Sequence, residues 1–138
     1  MDVIATKKVV TREQATLEVN SWLDKKKVYE STRESQKDSI DLLIEAMVNG
    51  DLKLDPDFNF IHKLLVPEVL NGEVAELKYK LRLNDKMLKP CMNGVKSNDA
   101  DGRLTAYISA LTGQVKGILE GLDTADKKIA LSIAVFFL

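Results

Sequence analysis

Residues Ser97 to Leu138 read SNDADGRLTAYISALTGQVKGILEGLDTADKKIALSIAVFFL. Their apolar residues recur at spacings of three and four, which places them along one face of an α-helix. Gly113 interrupts this helical pattern. Asp123 and Asp126 place negative charge before the last apolar stretch, at the helix start where the helix dipole favours such charge. Three short helices are therefore predicted. The last helix is expected to turn inward Ile129, Ser132, Ile133, Phe136 and Phe137. We expect this apolar end to dock into a core or onto a partner, because exposed apolar ends fray.

The N-terminal part predicts two further helices. Thr11–Gln14 and Ser31–Glu34 have the pattern of a capping box, in which a hydroxyl and a Glu or Gln side chain bind the first free amides of a helix. The apolar residues on the predicted inner faces are Ala15, Val19, Trp22 and Leu23 in the first helix and Ile40, Leu43, Ile44 and Met47 in the second. Gly50 is expected to end the second helix. The pair is interpreted as an antiparallel hairpin with Trp22 packed on the second helix, although one long helix with a soft middle fits the pattern equally.

The middle of the chain has the pattern of a β-hairpin. An apolar run from His62 to Leu70 precedes Asn71-Gly72, a dipeptide that tolerates positive φ at both positions. Apolar and basic residues then alternate from Leu77 to Leu83, as in a strand with one face in water. We therefore predict a hairpin over residues 64–83, preceded by a short edge element or linker around Pro56. Residues 1–10 carry an extended-looking stretch, which is predicted to be a strand or an arm.

These elements predict an α+β fold that is mainly α-helical and forms a single domain over residues 1–138. The domain would consist of an N-terminal helical extension (1–50) followed by a hairpin and a C-terminal bundle of short helices (51–138). Hydrophobic residues make up 45% of the chain and charged residues 30%, which is the balance of a globular rather than a disordered protein. A length of 138 residues is enough for one real core.

Charge and composition restrict the classes of partner. Twenty basic and twenty-one acidic side chains give a formal charge of −1, which disfavours a general electrostatic grip on nucleic acid or an anionic membrane. The chain has no apolar run long enough for a membrane span, and its single cysteine, Cys91, excludes an internal disulfide. We therefore expect a cytoplasmic protein. We interpret the basic residues Lys25–Lys27 and those of the predicted strand as solvated side chains. This interpretation disfavours nucleic-acid binding.

No residue pattern in the chain predicts catalysis or a cofactor. His62, the single histidine, lies in an apolar run and is interpreted as a half-buried structural residue, and Cys91 as a packed thiol. Asp99 and Asp101 resemble the start of a calcium loop, but Ala110 stands where the bidentate Glu is required. A helix cap explains these aspartates better. We therefore predict a protein that is not an enzyme and has no catalytic residue, metal site or organic cofactor.

Several short motifs in residues 62–138 resemble a known family. They are the strand Leu77–Arg82 after the Asn-Gly turn, the helix end Leu111–Gly113, the spacing Leu122-x-x-x-Asp126 and the terminal Phe136–Leu138. Together they resemble the tail assembly chaperones of tailed bacteriophages, in particular the Mu-like type, although Leu83 stands where that family usually has Pro. The N-terminal helices lie outside the resemblance.

The resemblance implies a small protein of the host cytoplasm that binds the tape measure protein, or other phage tail proteins, and keeps it soluble during tail tube assembly. A homo-oligomer is left open. Two alternatives remain: a minor virion structural protein of the tail or baseplate, and a small regulatory or nucleic-acid-binding protein. The candidate partner-binding residues are Phe136, Phe137, Leu138, Tyr107 and Trp22. Within the last helix, Ile129 and Ile133 are expected to anchor it internally, while Phe137 and Leu138 remain partly available.

Overall fold

The structure, a computed structural model, describes residues 10–138, so the strand or arm predicted at residues 1–10 lies almost wholly outside the described residues. Within this range the α-helices are α1 (Arg12–Lys26), α2 (Glu30–Ser35), α3 (Lys37–Val48), α4 (Asp85–Met92), α5 (Ala100–Thr112), α6 (Lys116–Glu120) and α7 (Thr124–Ala134). The strands are β1 (Leu52–Leu54), β2 (Phe60–Lys63) and β3 (Glu76–Tyr79), and short 3-10 helices lie at Pro67–Leu70 and Val135–Phe137. The prediction of a mainly α-helical α+β fold is confirmed.

The three strands form an antiparallel meander with β2 in the centre. Leu54 pairs with Phe60 across β1 and β2, and Lys63 pairs with Glu76 across β2 and β3. An antiparallel hairpin is therefore present, but its first strand, Phe60–Lys63, lies before the predicted range of residues 64–83, and the apolar residues from Leu64 to Leu70 do not form a strand. Pro67 starts a 3-10 helix instead, because its fixed φ suits a first helical turn and it has no N–H for a ladder.

Asn71-Gly72 lies at the end of that 3-10 helix and is not a two-residue turn between paired strand residues. The last pair of the two strands is Lys63 with Glu76. Asn71 and Gly72 both have positive φ, of 55° and 75°, as expected for this dipeptide. The second strand is also shorter than the alternation suggested and ends at Tyr79. Beyond it the backbone leaves the ladder, since the Lys80 amide donates to the Leu111 carbonyl and the Leu81 amide donates to the Asn59 side chain.

The N-terminal helices form the antiparallel pair, not one long helix. Arg12 at the start of α1 forms an ion pair of 2.7 Å with Glu45 near the end of α3. Thr11 caps α1 as predicted, accepting from the Gln14 amide, but the Gln14 side chain donates to Glu18 instead of reaching back. Gly50 follows the end of α3 with a φ of 83°, so the predicted helix end is confirmed.

The second capping box is wrong. Ser31 lies inside α2, which begins one residue earlier with Tyr29 at the N-cap. The Arg33 side chain fixes this start, because its Nε donates to the Val28 carbonyl and its Nη2 lies 3.0 Å from Asp24 of α1. Gln36 then separates α2 from α3 with a non-helical φ of −111°. Contacts with the end of α1 thus position this segment.

The core joins the N-terminal helices to the sheet and to the C-terminal helices. Buried residues of α1, α3, all three strands, α5 and α7 belong to one hydrophobic cluster. Trp22 is 1% exposed and its ring lies 4.7 Å from the ring of Phe60, 5.8 Å from that of Phe136 and 6.1 Å from that of Phe137, measured between centroids. The aromatic neighbours of Trp22 therefore come from β2 and from the end of the chain. Trp22 also belongs to the same hydrophobic cluster as Leu43 and Met47 of α3, the helix on which it was predicted to pack.

The C-terminal helices begin and end near the predicted positions. Asp99 caps α5 by accepting from the Gly102 amide, and Gly113 ends it with a φ of 75°. Asp123 caps α7 through the Ala125 amide. Ile129 and Ile133 are buried, in agreement with the predicted inner face of the last helix.

Candidate functional site

A hydrogen-bonded cluster of polar side chains lies in the interior, between the sheet and the start of α7. His62 comes from β2, Tyr79 from β3 and Asp126 from the first turn of α7. Successive side chains of a strand point to opposite faces, and the buried positions of β2 and β3 place His62 and Tyr79 on the inner face. His62 and Asp126 are 0% exposed and Tyr79 is 1% exposed.

The Asp126 carboxylate is the centre of this cluster. Its Oδ1 lies 2.8 Å from the Leu65 amide and 2.9 Å from His62 Nε2, and its Oδ2 lies 3.0 Å from the Val66 amide. A carboxylate only accepts, so His62 Nε2 carries a proton and donates it to Asp126. His62 Nδ1 then accepts from the Tyr79 hydroxyl at 3.0 Å. Each of these polar groups has a partner, as buried polar groups require.

Burial favours the uncharged forms of His62 and Tyr79. It lowers the pKa of His62, although the hydrogen bond and the negative charge of Asp126 oppose this effect. Burial also raises the pKa of Tyr79 far above its usual value, and the negative charge of Asp126 acts in the same direction. The imidazole is therefore neutral near pH 7 and the phenol keeps its proton, which is the protonation state that the hydrogen bonds need.

This cluster joins three structural elements. Asp126 ties α7 to β2 and to the loop that follows β2, while Tyr79 ties β3 to the same histidine. The three residues act together as a buried clamp, and we use this name for His62, Tyr79 and Asp126.

Sequence reasoning missed the clamp. His62 was expected to be half-buried, whereas it is fully buried inside β2 and bonded at both ring nitrogens. Asp126 was interpreted through the helix dipole alone, yet its carboxylate faces the sheet. The two residues are 64 positions apart in sequence, and no local pattern connects them. One usable signal was the alternation Phe60, His62, Leu64, which places the histidine on the same face as two buried apolar residues.

The predicted partner-binding residues differ widely in accessibility. Trp22 and Phe136 lie in the core, Phe137 is half-buried, and Leu138 is 66% exposed. Trp22, Phe136 and Phe137 are brought together by their ring contacts. Tyr107 is half-buried on α5 and takes no part in those contacts. Among these five residues, Leu138 therefore presents the most apolar surface to a partner.

The half-buried ring of Phe137 lies under a basic side chain. Lys26 Nζ lies 3.4 Å from the centroid of this ring, within the range of a cation–π contact. Burial, together with the smaller effect of the nearby positive charge of Arg82, lowers the pKa of Lys26 to about 8. Arg82 Nη2 donates to the Lys25 carbonyl at 3.0 Å, which satisfies a free carbonyl at the end of α1.

The remaining candidate groups named from the sequence are Cys91 and the acidic side chains. Cys91 is half-buried on α4, with its Sγ 3.7 Å from the Ser109 hydroxyl. No group of three or more His, Cys, Asp or Glu side chains within residues 10–138 is arranged to hold a metal ion. The helices of this range are all too short or too polar to cross a bilayer. Comparisons with protein-family models, curated proteins and solved structures returned no match.

Proposed function

We propose that this protein is a non-enzymatic tail assembly chaperone of a tailed bacteriophage. It binds the tape measure protein in the host cytoplasm and keeps its long apolar helices soluble until the tail tube has formed around them. The proposal starts from the sequence resemblance of residues 62–138 to the Mu-like chaperones. A homo-oligomer is compatible with it.

The observation that carries the proposal is the position of the motif residues in the fold. Leu77, Leu111, Leu122 and Phe136 are buried, and Asp126 is the centre of the buried clamp. These residues contribute to the packing and to the buried hydrogen bonds of the fold, which is compatible with a protein that acts by binding.

The surface available for a partner also supports the proposal. Amphipathic helices of a partner bind by laying an apolar face against exposed apolar side chains. Leu138 is 66% exposed beside the half-buried Phe137, while Ile129 and Ile133 hold the preceding helix, α7, in the core. The residues that follow α7 therefore leave apolar surface uncovered next to an element that is fixed in place.

Co-expression with the tape measure protein tests the proposal. The partner is the very long helical reading frame expected near the gene, expressed alone, with this protein, or with an unrelated soluble protein of similar size and charge. We expect soluble tape measure protein, co-purifying with this chain, only in the second case. Equal insolubility in all three cases would contradict the proposal.

Analysis of purified mature particles separates the chaperone from a structural component of the virion. A chaperone leaves before the tail is complete, so mass spectrometry of mature tails should contain the tape measure protein and lack this chain. Stoichiometric amounts of this chain in mature tails would favour the minor virion protein instead.

A further inference from the structure

A basic and apolar surface lies where the end of α1 meets the end of the chain. We call it the C-terminal edge, and it consists of Lys25, Lys26, Lys27, Arg82, Phe137 and Leu138. Two contacts connect its segments, since Lys26 Nζ covers the ring of Phe137 at 3.4 Å and Arg82 Nη2 donates to the Lys25 carbonyl at 3.0 Å. Lys27 and Leu138 are the exposed residues that follow Lys26 and Phe137 in the sequence. Segments that are distant in sequence therefore form one surface.

The four cations of this edge are not neutralised within the described part of the chain. None of them forms an ion pair with a carboxylate of residues 10–138. Asp24, the acidic residue directly before the lysine run, is paired with Arg33 at 3.0 Å. Arg82 and Lys26 are close enough for their positive charges to repel, which adds to the larger effect of burial in lowering the pKa of Lys26. Negative charge brought to this edge would remove that repulsion.

Apolar surface lies directly beside these charges. Leu138 is 66% exposed, and Phe137 is half-buried under Lys26. A helix with an apolar stripe flanked by Glu or Asp offers the matching pattern, because its stripe can cover Leu138 while its carboxylates meet the lysines. We infer that the C-terminal edge binds an acidic, amphipathic helix of a partner protein.

Two other occupants fit the edge less well. Nucleic acid gains affinity from bases stacked on aromatic faces, but Lys26 covers the ring of Phe137, and Lys25 Nζ lies 5.5 Å over that of Phe58. Tyr29 is an exposed ring close in sequence, so nucleic acid is included in the test. A second copy of this chain in a two-fold dimer would place the same cations against each other.

The inference rests on the proposed function, because it describes the chemistry of the partner segment that the protein would bind. The test uses defined probes in place of that partner. The main probe is a fluorescent Leu/Glu peptide of about 20 residues with a helical apolar stripe, long enough for about five turns. The comparison probes are the same peptide with Lys in place of Glu, and a single-stranded DNA of similar length. Anisotropy titrations of the full chain give the dissociation constants, and sedimentation reports its oligomeric state.

Matched variants locate the binding surface. Lys25→Gln with Lys27→Gln removes two charges from the edge, and Lys53→Gln with Lys63→Gln removes two exposed charges from the sheet. Leu138→Ser removes apolar surface from the edge, and Leu17→Ser does so on α1, where that side chain is 65% exposed. Each edge variant should weaken binding of the Glu peptide about three- to tenfold, while the control variants keep it. Unchanged thermal midpoints would show that the edge variants remain folded.

The outcomes separate the inference from the proposed function. The inference is supported if the protein binds the Glu peptide with higher affinity than the Lys peptide and the DNA, and if this affinity decreases as the salt concentration rises. The inference would be overturned if both peptides bind equally, if the DNA binds more tightly, or if no probe binds. It would also be overturned by self-association of the chain through the edge, or by equal losses of binding in the edge and control variants. The solubility of co-expressed tape measure protein is measured independently, so either idea can fail alone.

Discussion

Replacing Asp126 by Asn separates the clamp from an ordinary helix-dipole effect. The wild-type carboxylate accepts from two backbone amides and from His62, all inside the protein. The Asn amide oxygen can replace Oδ1, but its NH2 group would face the Val66 amide, so two donors would meet without an acceptor. Each buried unsatisfied donor costs about 1 to 3 kcal/mol, so with two such donors we expect Asp126→Asn to lower the free energy of unfolding by about 2 to 6 kcal/mol.

Asp123→Asn is the matched control for this substitution. Asp123 lies in the same helix start and caps it through the Ala125 amide, and Asn caps a helix about as well as Asp. Loss of one negative charge at a helix start costs about 0.3 to 1 kcal/mol, so the control should lose no more than that. Urea denaturation at pH 7, analysed by linear extrapolation, measures both values. Equal small losses in the two variants would refute the clamp and leave the dipole as the whole role of Asp126.

Three further predictions concern His62, Lys27 and Trp22. The pKa of His62 is lowered in the folded state, so the unfolded chain binds a proton on this residue more readily than the folded chain does. The free energy of unfolding should therefore be highest above about pH 6.5, the ordinary pKa of histidine, and should fall as the pH drops below about 6.5. Urea denaturation between about pH 7 and 5 should show this slope in the wild type and a smaller one in His62→Gln. Lys27 ends α1 with a φ of 65°, so Lys27→Gly should raise the free energy of unfolding by about 0.5 to 1 kcal/mol in urea, whereas Lys27→Ala should not. Trp22→Ala should cost about 3 to 5 kcal/mol, because the indole contacts three core rings; a loss below about 1 kcal/mol would contradict its burial.

Elements with a strong local period could be predicted from the sequence. The first helix was recognisable from Thr11 and from the spacing of Ala15, Val19, Trp22 and Leu23, all of which are buried. Gly50 and Gly113 were identified as helix ends because a positive φ is easiest for glycine. These features depend on neighbours within one or two turns, so the sequence contains all the information that determines them.

Features that depend on distant residues could not be predicted in the same way. The end of β2 at Lys63 is determined by its pairing with Glu76, and the end of β3 by contacts of Lys80 and Leu81 outside the sheet. The apolar run beyond Lys63 looked continuous, so nothing local marked the boundary. The clamp is the extreme case, because the role of Asp126 depends on a histidine 64 residues earlier. The accessible surface of Phe137 and Leu138, by contrast, agrees with what their position in the last turn suggested.

The hydrogen bonds that Asp126 accepts from Leu65 and Val66 have a consequence for exchange with deuterated water. Both amides belong to the loop after β2, and the Leu65 side chain is 44% exposed, so the segment looks like a surface loop. Amides of such loops normally exchange through small local openings. These two are bonded to a buried carboxylate, which attaches the loop to the first turn of α7. The Leu65 and Val66 amides should therefore exchange more slowly than those of loops that are bonded only to water, and Asp126→Asn should accelerate their exchange.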